Sequence, residues 1–299
     1  PTTATEEWTG AGAPVGAWAT ANNLNTARQA MGGCGIATAA LAAGGDNPPS
    51  SPEYLDLCES YNGTNWTAVN TLNTGRRMLG LAGTNTSALA FGGGTPPPVT
   101  GATESWNGSN WTEVNDLNTA RERLGSAGAD NTSALAFGGG PPDTGDTELW
   151  NGSNWTEVNN MNSARRELGS CGIATAALGF GGGPPPSPTA NTESWNGTNW
   201  TEVNNLNTAR YDLSGAGITT SALAFGGDAP PVTGKTEQWN GISWVEVADL
   251  STARYQFGQA GASGTSALAF GGILSPGANT AATEKWSGSS TTTKTVDTD

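Results

Sequence analysis

Histidine is absent from the 299 residues, and basic side chains are scarce, with 12 lysines and arginines against 26 aspartates and glutamates. Without histidine the protein lacks the commonest general base, the commonest metal ligand and the usual pH switch near neutrality. A formal net charge of −14 leaves no basic patch of the kind that neutralises phosphates, so we expect no nucleic-acid partner. The acidity is typical of proteins in a salty or extracellular medium, and it leaves open calcium sites among loop aspartates.

Cysteines are few, and long apolar runs are missing. Cys34 and Cys171 occupy the same position in a repeated phrase three repeats apart, and Cys58 lies in a different predicted strand. Because a disulfide needs Cα atoms within about 7 Å, we expect three free, mostly buried thiols. No run approaches 18 apolar residues, so membrane insertion is not expected. The start at Pro1, without a methionine or a signal-peptide pattern, suggests a processed or truncated N-terminus.

Repetition is the dominant feature of the sequence. The stretch 104–121, which reads ESWNGSNWTEVNDLNTAR, returns almost verbatim at steps of 44–48 residues. A period of this length indicates a repeat architecture, so we expect residues 1–299 to form a single domain, with irregular terminal copies at 1–24 and 283–299. The arginine that closes each copy recurs at Arg28, Arg76, Arg121, Arg165, Arg210 and Arg254.

Each repeat reads as four short strands, named A to D from the segment after the arginine. Strand A is rich in glycine and alanine, as in 124–129, and strand B ends in Gly-Gly, as in 133–139. Strands C and D flank an Asn-Gly pair, for example Asn107-Gly108, which is a strong hairpin signal because both residues tolerate positive φ. No segment has an apolar 3.6-residue period, so the sequence predicts an all-β protein. Strand A, which carries little bulk, is expected nearest a central axis.

Aromatic side chains mark strands C and D and are expected to pack neighbouring sheets against each other. Each buried tryptophan removes roughly 150–250 Å² from water, which contributes on the order of 5 kcal/mol as an upper bound. The set comprises Trp18, Tyr61, Trp66, Trp106, Trp111, Trp150, Trp155, Trp195, Trp200, Trp239, Trp244 and Trp286.

The unit resembles the kelch repeat, with an apolar strand ending in Gly-Gly, an aromatic residue, a later tryptophan and an arginine that opens the next repeat. The matching residues are the run 134–139, Trp150, Trp155 and Arg165, and the resemblance covers nearly the whole chain. The two aromatics are five residues apart here and closer to seven in the family, so the C–D hairpin is tighter. The resemblance implies a β-propeller of four-stranded blades. The amino-acid sequence around Trp106 and Arg121 is also similar to that of kelch-like proteins of marine phages and environmental viral sequences.

The sequence contains different numbers of A–B strand pairs and C-strand signatures. Six A–B pairs accompany seven C-strand signatures, the first at Trp8 and the last at Trp286. We therefore predict six blades, with Trp286 on strand C and Trp18 on strand D of a blade that mixes both chain ends; seven blades are the alternative. The segment Glu6, Glu7 and Trp8 would then be a candidate assembly strand, because an exposed sheet edge is a template for strand addition.

A glutamate precedes the first aromatic of every copy by two residues and is expected to pair with the repeat arginines within or between blades. The copies after Glu6 are Glu59, Glu104, Glu148, Glu193, Glu237 and Glu284. A catalytic carboxylate pair would need two special glutamates instead of equivalent ones, so the pairs are interpreted as structural. The copper-site histidine of galactose-oxidase-like enzymes and the Asp boxes of sialidases are missing, and no cofactor or enzymatic activity is expected.

The links between strands B and C escape the repeat. They contain proline and differ in length and sequence, and they share a face with the arginines in an A-B-C-D blade. Variable loops on a rigid scaffold either carry recognition or drift without constraint, and the sequence leaves both readings open. An extracellular enzyme is a third function, which the sequence nearly excludes, and two functions remain. One is a structural and adhesive module of a virion or an extracellular fibre, which self-associates or binds other subunits. The other is a stand-alone extracellular propeller that binds glycans or proteins. Asn-x-Ser/Thr sequences are glycosylation sites only in a eukaryotic host.

Overall fold

The computed structural model describes residues 16–48, 54–95, 98–184 and 186–288. Within these ranges the chain is all-β, with 27 strands and no helix, and consequently no helix that could cross a membrane. Six antiparallel four-stranded sheets account for most of the strands, and a small three-stranded sheet lies beside the sixth.

The first five sheets each use four consecutive strands. Sheet 1 contains β2 (Gly32–Ile36), β3 (Ala39–Ala43), β4 (Cys58–Tyr61) and β5 (Trp66–Val69). Sheet 2 contains β6 (Gly80–Gly83), β7 (Ala88–Phe91), β8 (Thr103–Trp106) and β9 (Trp111–Val114). Sheet 3 contains β10 (Gly125–Asp130), β11 (Ser133–Phe137), β12 (Thr147–Trp150) and β13 (Trp155–Val158). Sheet 4 contains β14 (Gly169–Ile173), β15 (Ala176–Phe180), β16 (Thr192–Trp195) and β17 (Trp200–Val203). Sheet 5 contains β18 (Ser214–Ile218), β19 (Ser221–Phe225), β20 (Thr236–Trp239) and β21 (Trp244–Val247).

Sheet 6 is built from both ends of the described chain. Its strands lie in the order β23 (Gly258–Ser263), β24 (Ser266–Phe270), β27 (Thr283–Ser287) and β1 (Ala17–Ala21). Trp286 on β27 is opposite Trp18 on β1 in the register of this pair. The two irregular terminal copies thus supply strands C and D of one sheet. The small sheet consists of β22 (Arg254–Tyr255), β25 (Ile273–Leu274) and β26 (Ala278–Asn279).

The six sheets form a closed ring around their A strands. The strands β2, β6, β10, β14, β18 and β23 contact one another in that order, and β23 contacts β2 again. The composition of these strands explains their position, because glycine and alanine let neighbouring backbones approach closely. The architecture is consistent with a β-propeller.

Packing between sheets depends on the aromatic residues of strands C and D. The indole Nε1 of the strand-D tryptophan donates to a threonine hydroxyl at the start of strand C in the preceding sheet, over 3.0–3.2 Å. The same tryptophan packs on a phenylalanine that ends strand B there, as Trp155 does on Phe91 with ring centroids 4.9 Å apart. The indole of Trp111 is different, because its neighbour, sheet 1, has Ala43 and Cys58 at these two positions, and its buried Nε1 has no oxygen acceptor.

The C–D hairpins form where the sequence predicts them, but for a different physical reason. The loop between Tyr61 and Trp66 has four residues, and only Gly63 has a positive φ, of +92°. Asn62 instead accepts hydrogen bonds on its side-chain oxygen from the backbone N–H groups of Thr64 and Asn65, at 3.0 and 2.8 Å. The asparagine therefore acts through its side chain, as in an Asx turn.

Candidate functional site

The six repeat arginines form six buried ion pairs with glutamates of strand C. Each arginine precedes strand A and pairs with the glutamate of the sheet that it opens. The pairs are Arg28–Glu59, Arg76–Glu104, Arg121–Glu148, Arg165–Glu193, Arg210–Glu237 and Arg254–Glu284. The five pairs after the first span 2.5–3.0 Å between nitrogen and oxygen.

The second oxygen of each glutamate holds the link between two sheets. It accepts a backbone N–H from the segment that joins strand D to the next strand A, over 2.6–2.7 Å. The donors are Asn25, Asn73, Asn118, Asn162, Asn207 and Ser251. Each carboxylate therefore fixes the crossover chain and the guanidinium together.

These pairs are closed to ligands. The six arginines are at most 1% exposed, and burial lowers the pKa of Arg76, Arg165, Arg210 and Arg254 despite the opposing effect of the paired glutamates. Burial likewise raises the pKa of Glu104. A group that contacts no solvent and already has a partner is suited to fixing register.

A second ring lies two residues after each arginine and was not anticipated from the sequence. These residues are not glycine, yet all have φ between +51° and +59°. They are Ala30, Met78, Arg123, Glu167, Asp212 and Gln256, hereafter the αL ring. The N–H of each donates to the carbonyl of the member before it, over 2.7–3.2 Å, and Ala30 donates to Gln256. All six sheets are thus joined by one closed cycle of backbone hydrogen bonds.

The αL ring lines a cavity of about 100 Å³ on the axis of the molecule. Its side chains differ from sheet to sheet, although the arginine two residues earlier is the same in every copy. Arg123 forms an ion pair with the Oε1 of Glu167, and the Nε2 of Gln256 donates to Asp212 over 2.9 Å. The Glu167 side chain is only 2% exposed, and its Oε2 has no hydrogen-bond partner among the described residues.

Two carboxylates within this cavity influence each other. Burial, followed by the neighbouring Glu167 carboxylate, raises the pKa of Asp212 to about 7. Burial also raises the pKa of Glu167, while Arg123 opposes the shift. The site consequently binds or releases a proton near neutrality without a histidine.

The other end of the axis is apolar. A cavity of about 220 Å³ there is bordered by Ile36, Ile173 and Ile218, each 41–44% exposed. Two of the three cysteines line it, and Cys34, Cys58 and Cys171 are all free and buried. Burial raises the pKa of the Cys58 and Cys171 thiols to about 12, so these groups stay neutral thiols near neutral pH.

Two sequence-based expectations concern sites beyond these rings. The candidate assembly strand at Glu6, Glu7 and Trp8 lies outside the described residues. The sequence left calcium sites among loop aspartates open; within the described ranges no group of three or more Asp, Glu or Cys side chains is arranged to hold a metal ion. The loop carboxylates Asp46 and Asp143 form ion pairs with Arg77 and Arg166 at 2.8 and 3.2 Å.

No protein-family model matches the chain. A search of curated proteins likewise finds no similar sequence. The function of the chain is therefore inferred from its own fold and from the two rings of residues around its axis.

Proposed function

We propose that the chain is a six-bladed kelch-type propeller that serves as a non-enzymatic structural and adhesive module of a virion or an extracellular fibre. Its assembly would use a terminal strand. The ring of six four-stranded sheets supports the blade number, and the Gly-Gly, tryptophan and arginine positions support the kelch type. The acidity of the chain and the resemblance of its repeat sequence to viral kelch-like proteins support a location in a virion or an extracellular fibre.

The observation that carries this proposal is the completeness of sheet 6. Strands β27 and β1 already provide its C and D strands. The seventh C-strand signature, around Trp8, is therefore not required by the six sheets. A surplus strand sequence that precedes the edge strand β1 in the chain is a means of pairing with another chain.

The non-enzymatic character of the proposal rests on the use of the charged residues. The repeated arginines and glutamates are engaged with each other in the interior. Structural pairs of this kind orient the backbone and leave no free nucleophile or base at the repeat positions.

The test is to compare the native mass of the intact protein with that of a variant lacking residues 1–12. We expect the intact protein to be oligomeric and the truncated one to stay folded with a smaller assembly. Removal of 289–299 serves as a matched deletion at the other terminus. A strictly monomeric intact protein, or loss of folding on truncation of 1–12, would contradict assembly through this strand.

The second candidate is a stand-alone glycan- or protein-binding propeller. It is favoured by the position of the proline-rich B–C links beside the αL ring, for example through the backbone bridges of Glu122 with Gly140 and Tyr211 with Asp228. A glycan array probed with the intact protein tests this function. Binding by a protein shown to be monomeric would favour it over the structural role.

A further inference from the structure

We propose that the axial cavity lined by the αL ring binds a primary ammonium group, supplied by a lysine side chain of a partner or by a free aliphatic diamine. This site is separate from the terminal strand, and the proposal holds whether the protein is an assembly subunit or acts alone.

The αL ring varies between copies on a scaffold that does not, as do the residue before each ring member and the B–C links. Along the chain the scaffold positions recur from sheet to sheet, including the arginine two residues earlier and the Gly-Gly that ends strand B. At the ring position the six copies carry six different side chains on one unchanged backbone conformation. A left-handed backbone favours glycine, and glycine is abundant in this chain, yet no copy uses it. Side chains are therefore retained at the axis at a conformational cost.

The ring has an excess of hydrogen-bond acceptors. Arg123 is engaged with the Oε1 of Glu167, which leaves the buried Oε2 of that carboxylate without a donor. In the part of the chain that the structure describes, no arginine or lysine forms an ion pair with Asp212, whose hydrogen-bond donor is the neutral amide of Gln256. The other two ring members, Ala30 and Met78, add no charge. The ring thus presents one carboxylate that is not balanced by a cation and one unused carboxylate oxygen.

The chemistry of the available acceptors selects the ligand class. An ammonium group has three N–H donors and one positive charge, which match two carboxylates and compensate the unbalanced one. A metal ion needs a larger set of ligands than the described residues bring together here. A neutral sugar would leave the charge uncompensated, and a cavity of about 100 Å³ is small for a pyranose ring. The methylene stem of a lysine or diamine would lie along the axis toward solvent, past the Asp212 and Arg123 side chains, which are partly exposed.

The experiment is a calorimetric titration of the intact protein with two probes, 1,5-diaminopentane and an N-acetylated Gly-Lys-Gly amide. The matched control ligand is the same peptide with an acetylated lysine, which keeps the stem and removes the charge. We expect one bound ammonium per chain and no heat from the acetylated peptide. Binding of the diamine alone identifies a free-amine site, and binding of the peptide identifies a partner lysine.

Variants distinguish the site from general attraction to an acidic protein. Glu167→Gln and Asp212→Asn are each expected to weaken binding at least tenfold. Glu202→Gln, which removes an exposed carboxylate from the outer strand of sheet 4, is expected to leave affinity unchanged. A thermal melt of each variant checks folding; Asp212→Asn keeps the test valid if Glu167→Gln fails to fold. Equal affinity of Glu202→Gln and Asp212→Asn, equal binding of the acetylated peptide, or no binding to the intact protein would overturn the proposal.

Discussion

Arg121 forms its buried ion pair with Glu148, over 2.5 Å, and not with Glu104. Arg121 ends the link from sheet 2 to sheet 3, and Glu148 lies on the third strand of sheet 3. Glu104, the glutamate that precedes Arg121 in the sequence, belongs to Arg76 in sheet 2. The pair therefore joins an incoming chain segment to the sheet that it begins, and the same relationship recurs in all six sheets.

Removing one of these arginines should destabilise the fold. We predict that Arg121→Ala destabilises the fold by about 3–5 kcal/mol, because Glu148 remains buried without its counter-charge. Chemical denaturation measures the change. Lys235→Ala is the control, since the side chains of Lys235 and of its partner Glu246 are 40% and 54% exposed. Equal midpoints for the two variants would contradict a structural role for Arg121.

The contact between sheets 1 and 2 lacks the tryptophan–threonine hydrogen bond that joins the other neighbouring sheets. We predict that Cys58→Thr stabilises the protein by about 0.5–1.5 kcal/mol, because a hydroxyl at this position gives Trp111 the acceptor that five other strand-D tryptophans have. Thermal unfolding under reducing conditions measures the effect. Cys58→Val has the shape of threonine without the hydroxyl and should not reproduce the gain.

Stability should depend on pH through the axial carboxylates. The pKa of Asp212 is raised to about 7 in the folded protein, so the native state holds a proton that the unfolded chain, with a pKa of about 3.9, has released. This contribution is complete below about pH 4 and is lost as the pH rises through 7. The charged and polar groups that act on Asp212 are Glu167, Arg123, Asp228 and Gln256.

Between low and high pH the wild type should lose unfolding free energy that Asp212→Asn does not lose, and we predict a difference of about 1–2 kcal/mol. The figure is kept small because solvent reaches the half-buried side chain. Unfolding curves at pH 5 and pH 8 are the measurement. The variant and the wild type should differ more at pH 8. A difference that is the same at both values would show that Asp212 titrates as an ordinary aspartate.

The backbone of the αL ring makes a prediction that needs no charged group. Ala30 has a φ of +54°, which costs an alanine roughly 1 kcal/mol relative to glycine. We therefore expect Ala30→Gly to stabilise the protein by about 0.5 kcal/mol, after the larger entropy of the unfolded glycine chain is subtracted. Ala39→Gly, on an ordinary strand position of β3, should instead destabilise it when both are measured by thermal unfolding.

The sequence predicted those features that repetition makes visible. The all-β class, the aromatic strands C and D, the glycine-rich axis and the shared sixth sheet all follow from the spacing of tryptophan, glycine and arginine. The sequence left the partner of Arg121 open, because each arginine lies between two equivalent glutamates and spacing along the chain does not say which one the fold brings closer. The αL ring was missed because a repeat pattern displays only what recurs. The ring shows itself in the sequence by variation instead of recurrence. Two residues after the constant arginine, some copies carry Ala30 or Met78 and others carry Glu167 or Asp212.

The pairing of β1 with β27 has a consequence for folding. Trp18 and Trp286 must meet although 268 residues separate them. Joining two points so far apart costs about 5 kcal/mol of chain entropy, whereas the strands of sheets 1–5 are neighbours in sequence. Sheets 1–5 are therefore expected to order before the circle closes. The contact between Trp18 and Trp286 then closes the ring last. We expect the native protein to form from an intermediate in which both chain ends are still unpaired, and to return first to that intermediate on unfolding.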